Sequence, residues 1–276
     1  MQHADENWFS AIILAVLCGL ILYRIFSAQR GKLPFIRRIP GLNAIEEAVG
    51  RATEMGRPIL MIPGIGGLDI VSLQALNIFK SVISAAARFN TPIRLCTTDA
   101  PLYGISQELV QDVYRNEGKS ELYDPNSVRF LSDQQFAFAA AVSGLIHREQ
   151  VAATFFLGAF YAESLIFAET ANTVGAIQVA GTTMTTQTPF FVAACDYVII
   201  GDEFYAASAY LSHEPISTGS LVGQDYGKLV FAALIIFGVI WYTVSGHPTP
   251  GNEPLIFKML KVGGFDEFLR ALHLKG

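Results

Sequence analysis

The sequence predicts an α/β protein: a three-layer, parallel-sheet (Rossmann-like) domain flanked by two transmembrane helices. Three observations carry this. Six short runs rich in β-branched or aromatic residues lie between residues 59 and 200, helix-like stretches separate most of them, and a long uncharged apolar segment stands on either side. Strands alternating with helices read as βα units, and parallel strands need such crossovers. The composition agrees: of 276 residues 51% are hydrophobic and only 16% charged, with a mean hydropathy of +0.39, whereas a soluble domain carries about 25% charge. A net charge of −5 argues against nucleic acid as a partner, because clustered excess Lys and Arg is its first footprint. Cys18, Cys96 and Cys195 are far apart and form no CxxC, so neither a disulfide framework nor a zinc site is indicated.

Residues 1–7 precede the first apolar segment, Trp8 to Tyr23, which holds no charge and is followed by Arg24. At least nine Leu, Ile, Val and Phe side chains, each worth roughly −0.3 to −0.6 kcal/mol near a bilayer centre, favour insertion by about 3 to 5 kcal/mol. Snorkelling of Arg24 lengthens the usable span to residues 8–27. The basic residues follow the apolar stretch instead of preceding it, which reads as an uncleaved anchor and not a secretory signal. Asp5 and Glu6 lie before it, and Arg24, Arg30, Lys32, Arg37 and Arg38 after it. The positive-inside rule therefore places the N-terminus outside a cell (inner) membrane and the following domain in the cytoplasm.

A basic linker, residues 28–42, ends in Ile39-Pro40-Gly41. Asn43 and Glu46 have capping-box spacing, which predicts a helix from there to Gly56. The expected strands are 59–62, 93–97, 128–131, 153–157, 176–180 and 197–200, with helices at 68–89, 106–116, 134–148 and 161–173. The domain is taken as 43–227. A second span, 228–246, contains the uncharged run Leu229 to Val244 and exits through Pro248 and Pro250. It returns the tail, 247–276, to the outside, in mild conflict with Lys258 and Lys261. Free cysteines in the middle domain agree with a reducing compartment.

The charge map is uneven. From Glu149 to Gly227, 79 consecutive residues, there is no Lys or Arg and there are only eight acids. Central strands and a buried helix explain part of this. The remainder predicts a protein–protein surface, either a homo-oligomer or contact with other subunits of a membrane complex.

Open α/β sheets bind ligands beyond the carboxyl ends of their strands, so the candidate site residues are drawn from those turns. Gly64, Gly66, Gly67 and Asp69 form a glycine-rich turn into a helix, though without the Lys-Ser/Thr of a phosphate loop. Asp99 and Ser132-Asp133 read as helix caps. Glu163 sits in an apolar helix and needs partners or a raised pKa. Thr182, Thr183 and Gln187 form a hydroxyl-rich turn, and Asp202 and Glu203 close the series. No cofactor is identifiable. Carboxylates and hydroxyls without a nearby base suit a divalent cation better than a phosphate. Cys96 and Cys195 lie in or beside apolar strands, His147 ends a helix, and no GxSxG elbow occurs, so no catalytic triad emerges.

The runs Gly175-Ala-Ile-Gln-Val-Ala-Gly181, Cys195-Asp-Tyr197, Gly201-Asp-Glu203 and Tyr205-Ala-Ala-Ser-Ala-Tyr-Leu-Ser212, with Ile39-Pro-Gly-Leu-Asn43 and Phe160-Tyr-Ala-Glu-Ser-Leu165 earlier, resemble an uncharacterised domain family of prokaryotic membrane proteins. The resemblance covers roughly residues 35–228 and implies a membrane-associated α/β domain, with no activity or catalytic residue to carry over. Two functions are expected from the sequence. The first is a membrane-anchored scaffold or interaction component without identifiable catalysis. The alternative is a small-molecule or divalent-cation site at the strand ends, for binding or for hydrolysis. Transport has little support, since neither span carries an intramembrane acid or base.

Overall fold

A computed structural model describes residues 8–31, 40–212 and 214–244. The expected N-terminal segment, most of the basic linker and the C-terminal tail lie outside the described residues. The elements, in chain order, are α1 (Trp8–Gln29), α2 (Pro40–Met55), β1 (Ile59–Gly64), α3 (Ile70–Arg88), β2 (Ile93–Thr97), α4 (Ala100–Asn116), β3 (Val128–Phe130), α5 (Gln135–Glu149), β4 (Ala153–Ala159), α6 (Glu163–Thr173), β5 (Ile177–Thr182), α7 (Thr188–Ala194), β6 (Tyr197–Ile200), α8 (Glu203–Ser212) and α9 (Pro215–Val244). They form two compact units. One is Ile36–His213, and the other joins Met1–Phe35 to Glu214–Gly276.

The first unit is the α/β domain. Its six strands are all parallel, in the order β3-β2-β1-β4-β5-β6, and the winding direction reverses between β1 and β4. Successive side chains on a strand point to opposite faces, and the core divides accordingly. Ile59, Met61, Leu95, Phe155, Leu157 and Val179 pack beneath α2, α3, α4 and α8. Leu60, Ile62, Cys96, Phe156 and Ala180 pack beneath α5, α6 and α7. All residues of β1, β4 and β5 are buried, which is why apolar residues fill both of their faces, with Thr154, Gln178 and Thr182 as the polar members. Phe156, Phe160, Phe167 and Phe191 fill the second layer, with the Phe160 and Phe191 rings edge to face at 5.3 Å.

Several expectations change in detail. The first helix of the domain begins at Pro40, so Asn43 falls within its opening turn instead of capping it; proline's fixed φ and missing N–H suit a first helical turn. β1 and β4 run on to Gly64 and Ala159. Helices α7 and α8 were not expected: the first is short and begins Thr-Pro, and the second buries Phe204, Ala207, Ser208 and Ala209 without a clear apolar period.

In the other unit, α9 starts at Pro215, well before the expected span at 228. Residues 215–227 are mostly small or polar, with Ile216, Leu221, Val222 and Tyr226 as their large apolar side chains. Their glycines nevertheless let two backbones meet: a Cβ on Gly219 would lie 2.7 Å from the Ile25 Cα, and one on Gly223 would lie 2.8 Å from the Ile21 Cα. The Arg24 guanidinium stands 3.9 Å from the centre of the Tyr226 ring. Leu14, Leu22, Phe26, Ile235 and Val239 remain exposed along the pair.

Among the described residues three helices contain stretches long and apolar enough to cross a membrane: Ala11–Gln29, Ile70–Arg88 and Pro215–Ile240. Half of the Ile70–Arg88 stretch is buried inside the protein, against 6% and 11% for the other two. The sheet therefore accounts for the hydrophobicity of α3, while α1 and α9 keep theirs on the outside.

Candidate functional site

The reversal between β1 and β4 is where an open parallel sheet ordinarily offers a ligand crevice. Here the two strands stay joined past that point. Gly64 pairs with Ala159, and the Ile65 N–H donates to the Ala159 carbonyl at 2.8 Å. Gly158, at φ +150°, lies against Pro63 so closely that a Cβ would collide with the Pro63 carbonyl. Only glycine fits there. The backbones themselves close the space between the strands, and buried Phe160 fills the adjoining layer.

Just beyond this closure the structure gathers five of the candidate residues. Gly64, Gly66 and Gly67 form the turn that leads to Asp69, which caps α3: its Oδ1 accepts from the Ser72 N–H at 2.7 Å, while the Ser72 hydroxyl donates to the Gly67 carbonyl. A Cβ on Gly66 would lie 3.2 Å from Asp69 Oδ2, and one on Gly67 would lie 3.9 Å from Asp99 Cγ, so both carboxylates border the glycine turn. Asp99 caps α4 through the Leu102 N–H at 3.2 Å.

A second group ties α5, α6 and the turn after β5 together. Glu163 is fully buried and accepts from the Tyr161 N–H at 2.9 Å and from Gln135 Nε2 at 2.6 Å. The Ser164 hydroxyl donates to Gln187 Oε1 at 2.9 Å, and Thr182 Oγ1 accepts from the Met184 N–H at 3.1 Å. Thr183, half-buried, shares that turn. Ser132 Oγ takes the Gln134 N–H ahead of α5, with Asp133 exposed beside it. Asp202 and Glu203 are exposed at the start of α8, after the edge strand β6.

The polar atoms at the strand ends are thus largely engaged in capping helices and joining turns. Among the described residues, no three His, Cys, Asp or Glu side chains come together as a metal site. Burial pushes the Cys96 thiol up to about 12, and burial with the neighbouring Asp196 charge does the same to Cys195. Both are therefore poor nucleophiles at neutral pH. A cleft of about 190 Å³ at the amino edge includes Arg94, Tyr114, Asp124 and Ser127. Its cation is already engaged, with Arg94 Nε donating to Glu149 Oε2 at 2.7 Å and Nη1 to the Ile93 carbonyl at 2.9 Å.

Sequence reasoning pointed to a charge-poor half without naming its surface residues. Within it Tyr161, Leu165, Ile166, Phe190 and Val192 are exposed, Val192 by 54%, and Phe136, which precedes it in sequence, is exposed by 67%. Each lies on or just ahead of α5, α6 or α7, the helices of one layer, with α6 packed between the other two. A readable signal existed on α6, where Leu165 and Ile166 interrupt the face opposite Phe167 and Ala171.

One family model, described as "Domain of unknown function (DUF6754)", matches residues 2–250. It takes in α1, the whole α/β unit and α9. No curated protein and no solved structure matches the chain.

Proposed function

The chain belongs to the DUF6754 family, and from that premise we propose that it is a membrane-anchored assembly component and not a catalyst. α1 and α9 cross the cell membrane, with the acidic N-terminus outside and the α/β unit in the cytoplasm. The charges flanking α1 support that direction, acidic before it and basic after it. The α5–α7 layer meets a second copy of the chain or another membrane subunit.

The observation that carries this reading is that five exposed apolar side chains, Tyr161, Leu165, Ile166, Phe190 and Val192, fall within a 79-residue stretch lacking any Lys or Arg, with exposed Phe136 on α5 of the same layer. Scattered exposed apolar residues are ordinary, but five of them on α6, α7 and the turn before α6, with no Lys or Arg among them, mark a contact surface. Internal bonding of the strand-end carboxylates supports it further, because those groups already have work in the fold. Oxidative cross-linking of a Val192→Cys chain in native membranes is the test. A dimer band or a band with one partner is expected, and a chain that cross-links to nothing overturns the reading.

The glycine turn favours one second reading. The caps use Asp69 Oδ1 and Asp99 Oδ2, while Asp69 Oδ2 lies against the turn and the Asp99 carboxylate borders it. Two carboxylates completed by waters is a donor set that Mg²⁺ accepts. A rise in melting temperature with millimolar Mg²⁺ that Asp69→Asn abolishes would support a cation there; no shift with any divalent ion removes this reading.

A further inference from the structure

We propose that Gln224, Asp225 and Lys228 form a contact between two copies of this chain inside the bilayer. The inference rests on the reading of α1 and α9 as membrane spans. Its starting point is the register of the pair. Gly219 lies on Ile25, Gly223 on Ile21 and Gly227 on Leu17. Each four-residue advance along α9 meets a four-residue retreat along α1, so the helices are antiparallel in constant register.

Carried along both helices, this register sets the uncharged stretch of α1, residues 8–23, opposite residues 221–236 of α9. The uncharged stretch of α9 is 229–244. The two are offset by the difference between 229 and 221, which is about 12 Å at about 1.5 Å per residue. A bilayer that takes in all of the first stretch also takes in Gln224, Asp225 and Lys228. With the bilayer placed this way, α9 carries an acid and a base at membrane depth.

α1 does not cover these groups. Gly219, Gly223 and Gly227 make the edge facing α1, whereas Gln224, Asp225 and Lys228 are exposed, and the Asp225 and Lys228 side chains by 65% and 61%. Asp225 Oδ1 and Lys228 Nζ lie 3.9 Å apart. Ionisable groups at membrane depth almost always face protein and pair there. A second copy brings matching groups to this exposed face: it carries an acid, a base and an amide within about one turn, and two such faces related by a two-fold axis present each acid to the other's base. The face is complementary to itself.

The test uses the full chain with Cys18→Ser, which removes an exposed thiol, carrying Gln224→Cys in broken-cell membranes open on both sides. A parallel chain carries exposed Glu121→Cys. The 224 thiol is expected to react with a membrane-impermeant maleimide at least ten-fold more slowly than the 121 thiol, and to give a disulfide dimer on copper-catalysed oxidation. Asp225→Lys should cut the dimer several-fold, and Asp225→Lys with Lys228→Asp should restore it. Equal labelling at 224 and 121 would place the face in water or headgroups and overturn the proposal. Shielding without a dimer, or a charge swap that restores nothing, overturns the contact between copies. Release of the chain by carbonate washing is a different failure, since it removes the spanning reading itself and this inference with it.

Discussion

Gln135 donates its side-chain amide to Glu163 across 2.6 Å, joining the first turn of α5 to the first turn of α6. This one bond shows how the domain uses polar groups at the carboxyl ends of its strands. Glu163 has no exposure, and its other oxygen takes the Tyr161 N–H. The buried acid that looks most like a site from sequence is a brace between two helices.

Removing that brace should be costly. Glu163→Ala leaves an amide and a backbone N–H without an acceptor, which predicts a loss of about 3 kcal/mol. Glu163→Gln keeps one acceptor and should lose about 1 kcal/mol. Thermal unfolding of the full chain in mild detergent checks both, and equal losses would contradict the role of the second oxygen.

Glycine positions separate in the same way. Gly158→Ala pushes a methyl into the Pro63 carbonyl and should destabilise by more than about 3 kcal/mol, to the point of poor folded yield. Gly104, inside α4, has nothing within 4 Å of its would-be Cβ. Gly104→Ala should therefore stabilise by up to about 1 kcal/mol, measured by the same unfolding transitions.

The buried thiols give a pH dependence. Cys96 is held neutral in the fold, its pKa pushed up to about 12, while an unfolded thiol ionises near pH 9. The folded pKa is the higher one, so its contribution is fully present below about pH 8 and is lost as pH rises from about 9 toward 12. The slope approaches about 1.4 kcal/mol per pH unit for one such group. Comparing denaturant midpoints of the wild type and Cys96→Ala at pH 8 and pH 10 isolates the contribution of this thiol. A wild type that loses no more than the variant would contradict it.

The helix pair makes a further prediction. Leu17→Cys with Gly227→Cys should form a disulfide within one chain, because Gly227 lies on Leu17. Adding Gly223→Leu wedges the helices apart at Ile21 and should lower that yield several-fold on a non-reducing gel.

Most of the fold was legible because local physics and tertiary structure agreed. Six apolar runs of strand length became six strands, and five of the six begin at the expected residue, as Ile93 and Tyr197 do, with β5 beginning one residue later. α7 was hidden by its Thr-Pro opening, and the first half of α9 by small residues whose value appears only when Ile21 and Ile25 lie against them. Candidate residues were legible as a set of turns, since strand ends must converge on one edge of a parallel sheet. Their roles were not. Whether Asp69 binds a ligand or caps a helix depends on where the Ser72 N–H points, which no spacing rule decides. The closure of the β1/β4 crevice by Gly64 and Gly158 likewise depends on two strands that are distant in sequence.

The central claim is that the α5–α7 surface holds copies or subunits together. Mass determination of the intact protein extracted in mild detergent, beside a chain carrying Phe136→Ser, Ile166→Ser and Val192→Ser, tests it most directly. An oligomer or complex is expected for the wild type and a smaller species for the variant, with an unchanged circular dichroism spectrum. A wild type that runs as a lone monomer, or a variant of unchanged mass, would contradict it.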